Sequence, residues 1–185
     1  MGWKVDIGTF SDTCVTKHMV SRRQGAIVSR EQEFLKTVAS RNVVRISVRA
    51  VVLSKGRTLV QKPTDDPSAC YAFIGGEYEV GDTFVSRLRQ EFEEESNAKI
   101  VDCQYLFVVE NRLRVNGKLM QGLEHYFAVT LDREDIESRE RHLSQHWLPI
   151  STLKNYDLRP WLVRDAIAEG QLHSVRHLVV PLDGG

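Results

Sequence analysis

The residues best suited to chemistry in this sequence are four glutamates between positions 91 and 95, which follow a glycine-rich stretch. Glu91, Glu94 and Glu95 are spaced i, i+3 and i+4, so their carboxylates would emerge on one face of a helix, while Glu93 would point to solvent. Carboxylate oxygens are the ligands that Mg²⁺ prefers, and bound Mg²⁺ can neutralise phosphate oxygens and activate a water. The spacing therefore predicts a metal site suited to phosphate chemistry.

Acidic runs are more often solvated helix faces than metal sites. Two observations favour the metal site here. Like charges at i, i+4 repel and disfavour a helix unless a cation offsets them, and Gly75, Gly76 and Gly81 allow a close backbone approach just upstream. A carbonyl near Gly76 could then add a metal ligand. An adjacent apolar stripe is predicted to dock the helix on a sheet, and it consists of Phe84, Leu88 and Phe92.

The stretch from Gly76 to Ala98 resembles the Nudix box, a signature of Mg²⁺-dependent pyrophosphohydrolases written G-x(5)-E-x(7)-R-E-U-x-E-E-x-G-U. Gly76 stands at its first position, Gln90–Glu95 stands at the R-E-U-x-E-E block, and the spacing is kept. The similarity covers residues 42–170. It implies an α+β protein, a Nudix-type α/β/α sandwich with a mixed central β-sheet flanked by helices. It also implies that Mg²⁺, or Mn²⁺ as a substitute, is bound by Glu91, Glu94 and Glu95, with support from Glu79.

Four positions depart from the family pattern. Asp82 and Gln90 replace the glutamate and arginine that can form a charged pair in the family, so a weaker hydrogen bond is expected between them. Arg87 and Arg89 are possible substitutes, although neither is equivalent to residue 90 on the helix. The other two changes are predicted to be mild, and they place Asn97 at the helix-ending glycine and Ile74 at a proline.

The general base and the substrate contacts stay open at the level of sequence. A box glutamate could act as the base, and so could Glu124, an acid within an apolar strand that is equally well explained as an exposed strand residue. Arg45 and Arg49 could grip phosphates or simply face solvent, and Tyr71 could stack on a base or pack in the core. His125 is expected to be a packed or surface residue.

Sheet strands must position these groups. Alternating apolar residues predict a strand from Val44 to about residue 53, followed by a turn at Lys55-Gly56 and a strand over 58–62. Further strands are predicted over 100–110, 125–129 and 147–150, with a hairpin turn at Asn116-Gly117. A last helix is predicted between Pro160, at its first position, and Gly170.

Composition and charge bound the class of protein. The chain has 185 residues, of which 42% are hydrophobic, and 25 basic residues balance 25 acidic ones, so no global charge attracts nucleic acid or an anionic membrane. Its three widely spaced cysteines, and the lack of a long apolar run, indicate a cytoplasmic protein. We expect an N-terminal extension over 1–41, with a short helix at about 30–40 that opens with a capping box at Ser29. The Nudix domain would follow over 42–185, and the extension could mediate a homodimer.

Two functions from different classes are consistent with these features. The first is a Mg²⁺-dependent hydrolase that cleaves the pyrophosphate bond of a nucleoside diphosphate linked to another group. The second is a catalytically weak nucleotide-binding or sensor module, which the altered Asp82 and Gln90 favour. Which nucleoside diphosphate derivative it takes is not encoded in the box, because specificity depends on loops such as 63–70 and 111–122.

Overall fold

The structure is a computed structural model that describes residues 36–37, 40–115 and 117–182. Within these ranges, eight strands form one mixed sheet, flanked by two α-helices and a 3₁₀ helix. The helices are α1 (Phe84–Glu95), α2 (Trp161–Ala168) and the 3₁₀ helix Ile150–Asn155. The strands are β1 (Val44–Ser54), β2 (Arg57–Pro63), β3 (Tyr71–Ala72), β4 (Ile100–Val115), β5 (Lys118–Leu131), β6 (Leu143–Pro149), β7 (Leu158–Arg159) and β8 (His177–Val179).

Strand β1 is buried on both faces at its centre, which places it between two apolar layers. Val48, Ala50 and Val52 pack against Leu88 and Phe92 of α1. On the other face, a second core contains Val51, Phe73, Tyr126 and residues of α2. This arrangement confirms the predicted α/β/α sandwich and the docking stripe on α1.

The site is positioned by a gap in the sheet between β1 and β2. The two strands pair antiparallel only over Val52–Ser54 and Arg57–Leu59, while β1 pairs parallel with β5 along most of its length. Beyond that short ladder the glycine-rich segment pairs with β1 instead. Ala50 N donates to Ile74 O at 2.9 Å, and Val48 N donates to Gly76 O at 3.0 Å. The segment before α1 is therefore fixed in the plane of the sheet.

The hairpin of β4 and β5 is longer than the sequence predicted. Gly117 has a φ of +78°, and Val115 is the Cα partner of Lys118, which confirms the turn. One arm continues to Val115, and the other begins at Lys118. The residues next to the turn alternate only weakly between apolar and polar types, but the antiparallel ladder between the two strands stabilises them.

The helix ends follow their local sequence. Thr83 and Ser86 form a reciprocal capping box at the start of α1. Pro160, predicted as the first helical residue, is instead the N-cap of α2, so the helix begins one residue later, at Trp161. Gly170 follows the helix with a φ of +67°. Lys36, Thr37 and Ser40 are helical, but most of the helix predicted at 30–40, including its capping box, lies outside the described residues. No helix in the described ranges is long and apolar enough to span a membrane.

Phe92 is the side chain that anchors α1 to the sheet, since it is fully buried among residues of β1, β4 and β5. We expect Phe92→Ala to lower the free energy of unfolding by about 3–5 kcal/mol, because it removes a buried ring and leaves a cavity. Urea denaturation measures this loss. Val101→Ala, at an exposed position of β4, is the control and should cost less than about 1 kcal/mol. Equal losses in the two variants would contradict this packing.

Candidate metal and phosphate site

Two glycines ahead of α1 make room for the site. Gly75 has a φ of +145°, and a Cβ on it would collide with the Val48 carbonyl of β1. At Gly76 a Cβ would collide with the Glu91 carboxylate. The Gly76 carbonyl already accepts the hydrogen bond from Val48 N. Gly76 therefore contributes space for the Glu91 carboxylate, while its carbonyl belongs to the ladder with β1.

Glu91 is a buried carboxylate paired with a half-buried arginine on its own helix. Glu91 is 5% exposed, and Arg87 Nη2 donates to its Oε1 one turn away. Burial raises the pKa of Glu91, and the opposite charge of Arg87 works against that rise. Arg87 Nη1 also lies 3.9 Å from Glu79 Oε1 in the preceding loop. The guanidinium thus joins the loop to the helix beside two carboxylates of the predicted site.

Among the Asp and Glu side chains of the described part of the chain, Glu95 has the most strongly raised pKa. Burial, followed by the negative charge of Glu91, raises the pKa of Glu95 to about 7. The charge of Glu140, from the loop before β6, raises that pKa further, whereas a hydrogen bond from the Gln61 side chain lowers it. Glu95 Oε2 is buried and has no hydrogen-bond partner among the described residues. A group held this way favours a proton or a cation.

The altered box residues make contacts other than the predicted one. Asp82 accepts a hydrogen bond from Glu79 N at 3.1 Å, and Gln90 Nε2 donates to Glu94 Oε1 at 2.8 Å. Asp82 and Gln90 thus each bond a neighbour within their own element. The contact between loop and helix is made by Arg87 and Glu79 instead. Glu94 is exposed, as is Glu93.

The residue type of Asn97 suggested that it ends α1 in a left-handed conformation, but the structure shows otherwise. Outside glycine, positive φ values in the described ranges occur only at Asn42 and Lys55. Instead the C-cap of the helix is Ser96, whose backbone is extended. The Asn97 side chain forms hydrogen bonds with a loop further along the chain. Its Nδ2 donates to Asp135 O at 3.2 Å, and its Oδ1 accepts from Glu137 N at 3.0 Å. Asn97 therefore ties the end of α1 to the loop after β5.

Of the two strand arginines, Arg49 is the one that lies close to the acids of α1. Arg49 Nη1 donates to Gly75 O at 2.6 Å, and its charge lowers the pKa values of both Glu91 and Glu95. Arg45 is occupied by Glu77, with 3.2 Å between Nη2 and Oε2. A positively charged group therefore lies on each side of the buried carboxylates, Arg87 and Arg49.

Glu124 lies away from the three box glutamates. It shares a sheet face with Tyr126, whose hydroxyl donates to Glu124 Oε2 at 2.8 Å, and α1 packs on the opposite face. Glu124 lines a small cavity of about 30 Å³ together with Arg45 and Ser47. The structure thus groups Glu124 with Arg45 instead of with the acids of α1.

Two aromatic candidates are occupied by packing. Tyr71 packs edge-on against His146 and Tyr156, with ring centroids 5.5 and 6.0 Å apart, and Lys62 Nζ lies 5.1 Å from the centroid of its ring. His125 stacks on Phe84 at 4.3 Å. The packed role that the sequence indicated for His125 is what the structure contains.

The donor set of this site fits a divalent cation. Within the described ranges, no three Asp, Glu, His or Cys side chains converge as a preformed metal cluster. Arg87 occupies one oxygen of Glu91, but Glu95 has a buried oxygen without a partner, and Gly76 leaves the space that Glu91 fills. The chemistry is that of hard oxygen ligands, which suits Mg²⁺ or Mn²⁺. Glu91 and Glu95 would hold the ion, with Glu94 at the exposed edge.

Sequence reasoning missed three contributors to this site: Arg87 as the partner of Glu91, Gln61 beside Glu95, and Glu140. Arg87 had a detectable signal, since it lies four residues before Glu91. Gln61 and Glu140 come from β2 and a distant loop, and no local pattern links them to the helix.

Comparison with solved structures identifies the fold. A Nudix hydrolase from Nitrosomonas europaea matches with a TM-score of 0.58 and 18% identity, over 75% of this chain and 79% of that one. A MutT protein from Bacillus halodurans matches at 0.57 and 16%, over 74% and 87%. The dihydroneopterin triphosphate pyrophosphohydrolase of E. coli matches at 0.53 and 21%, over 72% and 100%. The chain therefore has the Nudix fold, as its sequence predicted.

By sequence alone, no family model and no curated protein matches the chain.

The pairing of Arg87 with Glu91 predicts a stability that depends on the cation. Arg87→Met leaves a buried carboxylate without its partner, so we expect metal-free protein to lose about 3–5 kcal/mol of unfolding free energy. Added Mg²⁺ should restore more stability to this variant than to the wild type, because the ion would then neutralise Glu91. Thermal unfolding with EDTA or Mg²⁺ measures both effects. Lys99→Met, which removes an exposed side chain, is the control, and an equal loss in both variants would refute the prediction.

The raised pKa of Glu95 predicts a pH dependence of metal binding and of stability. Because the folded-state pKa is about 7 and lies above the unfolded value, the contribution of Glu95 to stability is complete below the unfolded pKa. It is lost as the pH rises through 7. Metal-free protein should accordingly lose this contribution between pH 5 and pH 8, while Mg²⁺ affinity rises over the same window as the proton leaves. Thermal unfolding and calorimetric Mg²⁺ titration measure the two trends, and Glu95→Gln should flatten both. A Mg²⁺ affinity that is independent of pH in the wild type would contradict the assignment.

Proposed function

We propose that this protein is a Mg²⁺-dependent hydrolase that cleaves the pyrophosphate bond of a nucleoside diphosphate linked to another group. The observation that carries the proposal is the pair of carboxylates, Glu91 and Glu95, buried one turn apart beside a glycine loop that has no room for a side chain at Gly76. Burying two acids together is unfavourable without a positive charge. A catalytic cation is the charge that this donor set fits.

The roles of the residues follow from their surroundings. Glu91, Glu94 and Glu95 would hold Mg²⁺, with Mn²⁺ as a substitute, and the ion would neutralise phosphate oxygens and lower the pKa of a bound water. Arg49, which lies against the Gly75 carbonyl and close to both buried acids, is the side chain that we assign to the substrate phosphates. Arg45 is less suited because Glu77 already neutralises it.

Three groups complete the proposal. Glu79 and Asp82 support the loop, and Arg87 joins that loop to the helix. Glu95 is the acid best suited to accept a proton near neutral pH, because its pKa of about 7 matches that task. We therefore favour a box glutamate over Glu124 as the general base, and we propose a cytoplasmic location for the reaction.

Substitution of single glutamates by glutamine tests the proposal. We expect Glu95→Gln and Glu94→Gln each to lower Mg²⁺-dependent turnover at least about 100-fold, because each removes a charge from the ligand set without changing its shape. Phosphate-release assays over nucleoside triphosphates, nucleoside diphosphate sugars, dinucleoside polyphosphates and dinucleotides measure the loss.

Glu93→Gln is a matched control, since Glu93 lies on the same helix but is exposed. Its turnover should equal that of the wild type. Equal activity in the wild type and in both test variants would refute the metal-dependent mechanism. Circular dichroism checks that every variant keeps its fold.

A second candidate function is a nucleotide sensor that binds without efficient turnover. One observation in its favour is the hydrogen bond between Arg87 and Glu91, since a cation would have to displace Arg87 from this carboxylate. Another is that Asp82 and Gln90 do not pair with each other. Calorimetric titration with the same nucleotides, paired with product assays, separates the two functions. Tight binding without product at any Mg²⁺ or Mn²⁺ concentration would favour the sensor, and turnover would exclude it.

A further inference from the structure

Two glutamines face Glu95 from the sheet and belong to no part of the Nudix box. Gln61 of β2 and Gln145 of β6 are direct Cα partners in the antiparallel ladder, so their side chains lie side by side on one face of the sheet. Gln61 is only 8% exposed, which is unusual for a long polar side chain. The two residues that precede Gln61 in β2, Leu59 and Val60, are core residues.

Both amides are oriented by Glu95. Gln145 Nε2 donates to the main-chain oxygen of Glu95 at 3.0 Å. A side-chain hydrogen bond from Gln61 reaches the Glu95 carboxyl group, where it lowers the pKa. A hydrogen bond that lowers the pKa is one donated to the charged carboxylate, so Gln61 presents its NH₂ to Glu95. Reversing either amide would place a carbonyl oxygen against an acceptor, so these contacts fix which atom of each amide is the oxygen.

This orientation leaves three buried oxygens without donors around one residue. They are Gln61 Oε1, Gln145 Oε1 and Glu95 Oε2, each inaccessible to solvent and without a hydrogen-bond partner among the described residues. A buried acceptor without a partner destabilises the folded state, and such groups are rare in native proteins. Three of them next to one carboxylate indicate a missing positive or donating group.

A divalent cation would satisfy all three oxygens. Amide carbonyl and carboxylate oxygens are the hard ligands that such ions take. No described side chain donates a hydrogen bond to any of the three oxygens. Arg49 and Arg87 are directed elsewhere, to Gly75 O and to Glu91 respectively.

We infer that Gln61 and Gln145 supply neutral oxygen ligands, next to the Glu95 carboxylate, to a bound divalent cation. The inference rests on the proposed function and adds to it a part of the ligand set that comes from the sheet instead of the helix. Two further oxygens would stabilise a divalent cation more than they stabilise a neutral carboxyl group. Gln61 and Gln145 would therefore make the pocket of Glu95 favour a cation over a proton.

Mn²⁺ affinity of the full-length protein without substrate tests the inference. The variant Gln61→Leu keeps the size of the side chain and removes its oxygen. We expect it to raise the Mn²⁺ dissociation constant at least about 10-fold, as measured by the electron paramagnetic resonance signal of free Mn²⁺. Gln145→Leu should act in the same direction. Gln104→Leu, at an exposed position of β4, is the control and should leave the constant unchanged.

A second variant covers the case in which Gln61→Leu fails to fold. Gln61→Glu keeps the length and adds a charge, so at pH 8 it should bind Mn²⁺ more tightly than the wild type. A dissociation constant within twofold of the wild type in Gln61→Leu, or one that is unchanged or weaker in Gln61→Glu, overturns the inference.

Failure of this inference is distinct from failure of the proposed function. Unchanged Mn²⁺ affinity in a Gln61 variant that still hydrolyses its substrate overturns the ligand role alone. A wild type that binds Mn²⁺ through Gln61 but hydrolyses no nucleotide overturns the enzyme and supports the ligand role. A wild type that binds no Mn²⁺ overturns the ligand role directly, and turnover assays then decide the function separately.

Discussion

Burial of the Glu91 and Glu95 carboxyl groups, one turn apart on α1, is the constraint on which this site depends. Burial penalises the charged form of both side chains, and this raises the pKa of each. Such a pair is stable only with protons, guanidinium groups or a cation close by. The structure meets this need with Arg87 on Glu91 and a raised pKa on Glu95. The proposed function requires a metal ion to take their place.

The fold brings the acids together by interrupting the sheet. Strands β1 and β2 pair only over three residues, and the glycine segment takes the vacated edge of β1. That placement presses Gly76 against Glu91 and aims the Gly75 carbonyl at Arg49. Strands β2 and β6 complete the enclosure by carrying Gln61 and Gln145 to Glu95. A helix with the same acids but without this gap would present a solvated face.

The fold and the acidic helix could be predicted from the sequence because both depend on patterns within short stretches of the chain. The alternation in β1, the turn at Gly117 and the i, i+3, i+4 spacing in α1 each need only a short window. Sequence reasoning did not reach the contacts of Asp82, Gln90 and Asn97, since a residue type does not specify which of several nearby partners a polar side chain takes. Glu124 illustrates the same limit: its strand was predicted, but the face it occupies depends on the register with β1.

The crystal structure of the protein soaked with Mn²⁺, with anomalous scattering recorded at the manganese edge, tests the central claim most directly. We predict an anomalous peak bound by oxygens of Glu91 and Glu95, with the Arg87 guanidinium moved off the Glu91 carboxylate. A crystal that takes up no Mn²⁺ at these acids, with Arg87 still bonded to Glu91, would contradict it.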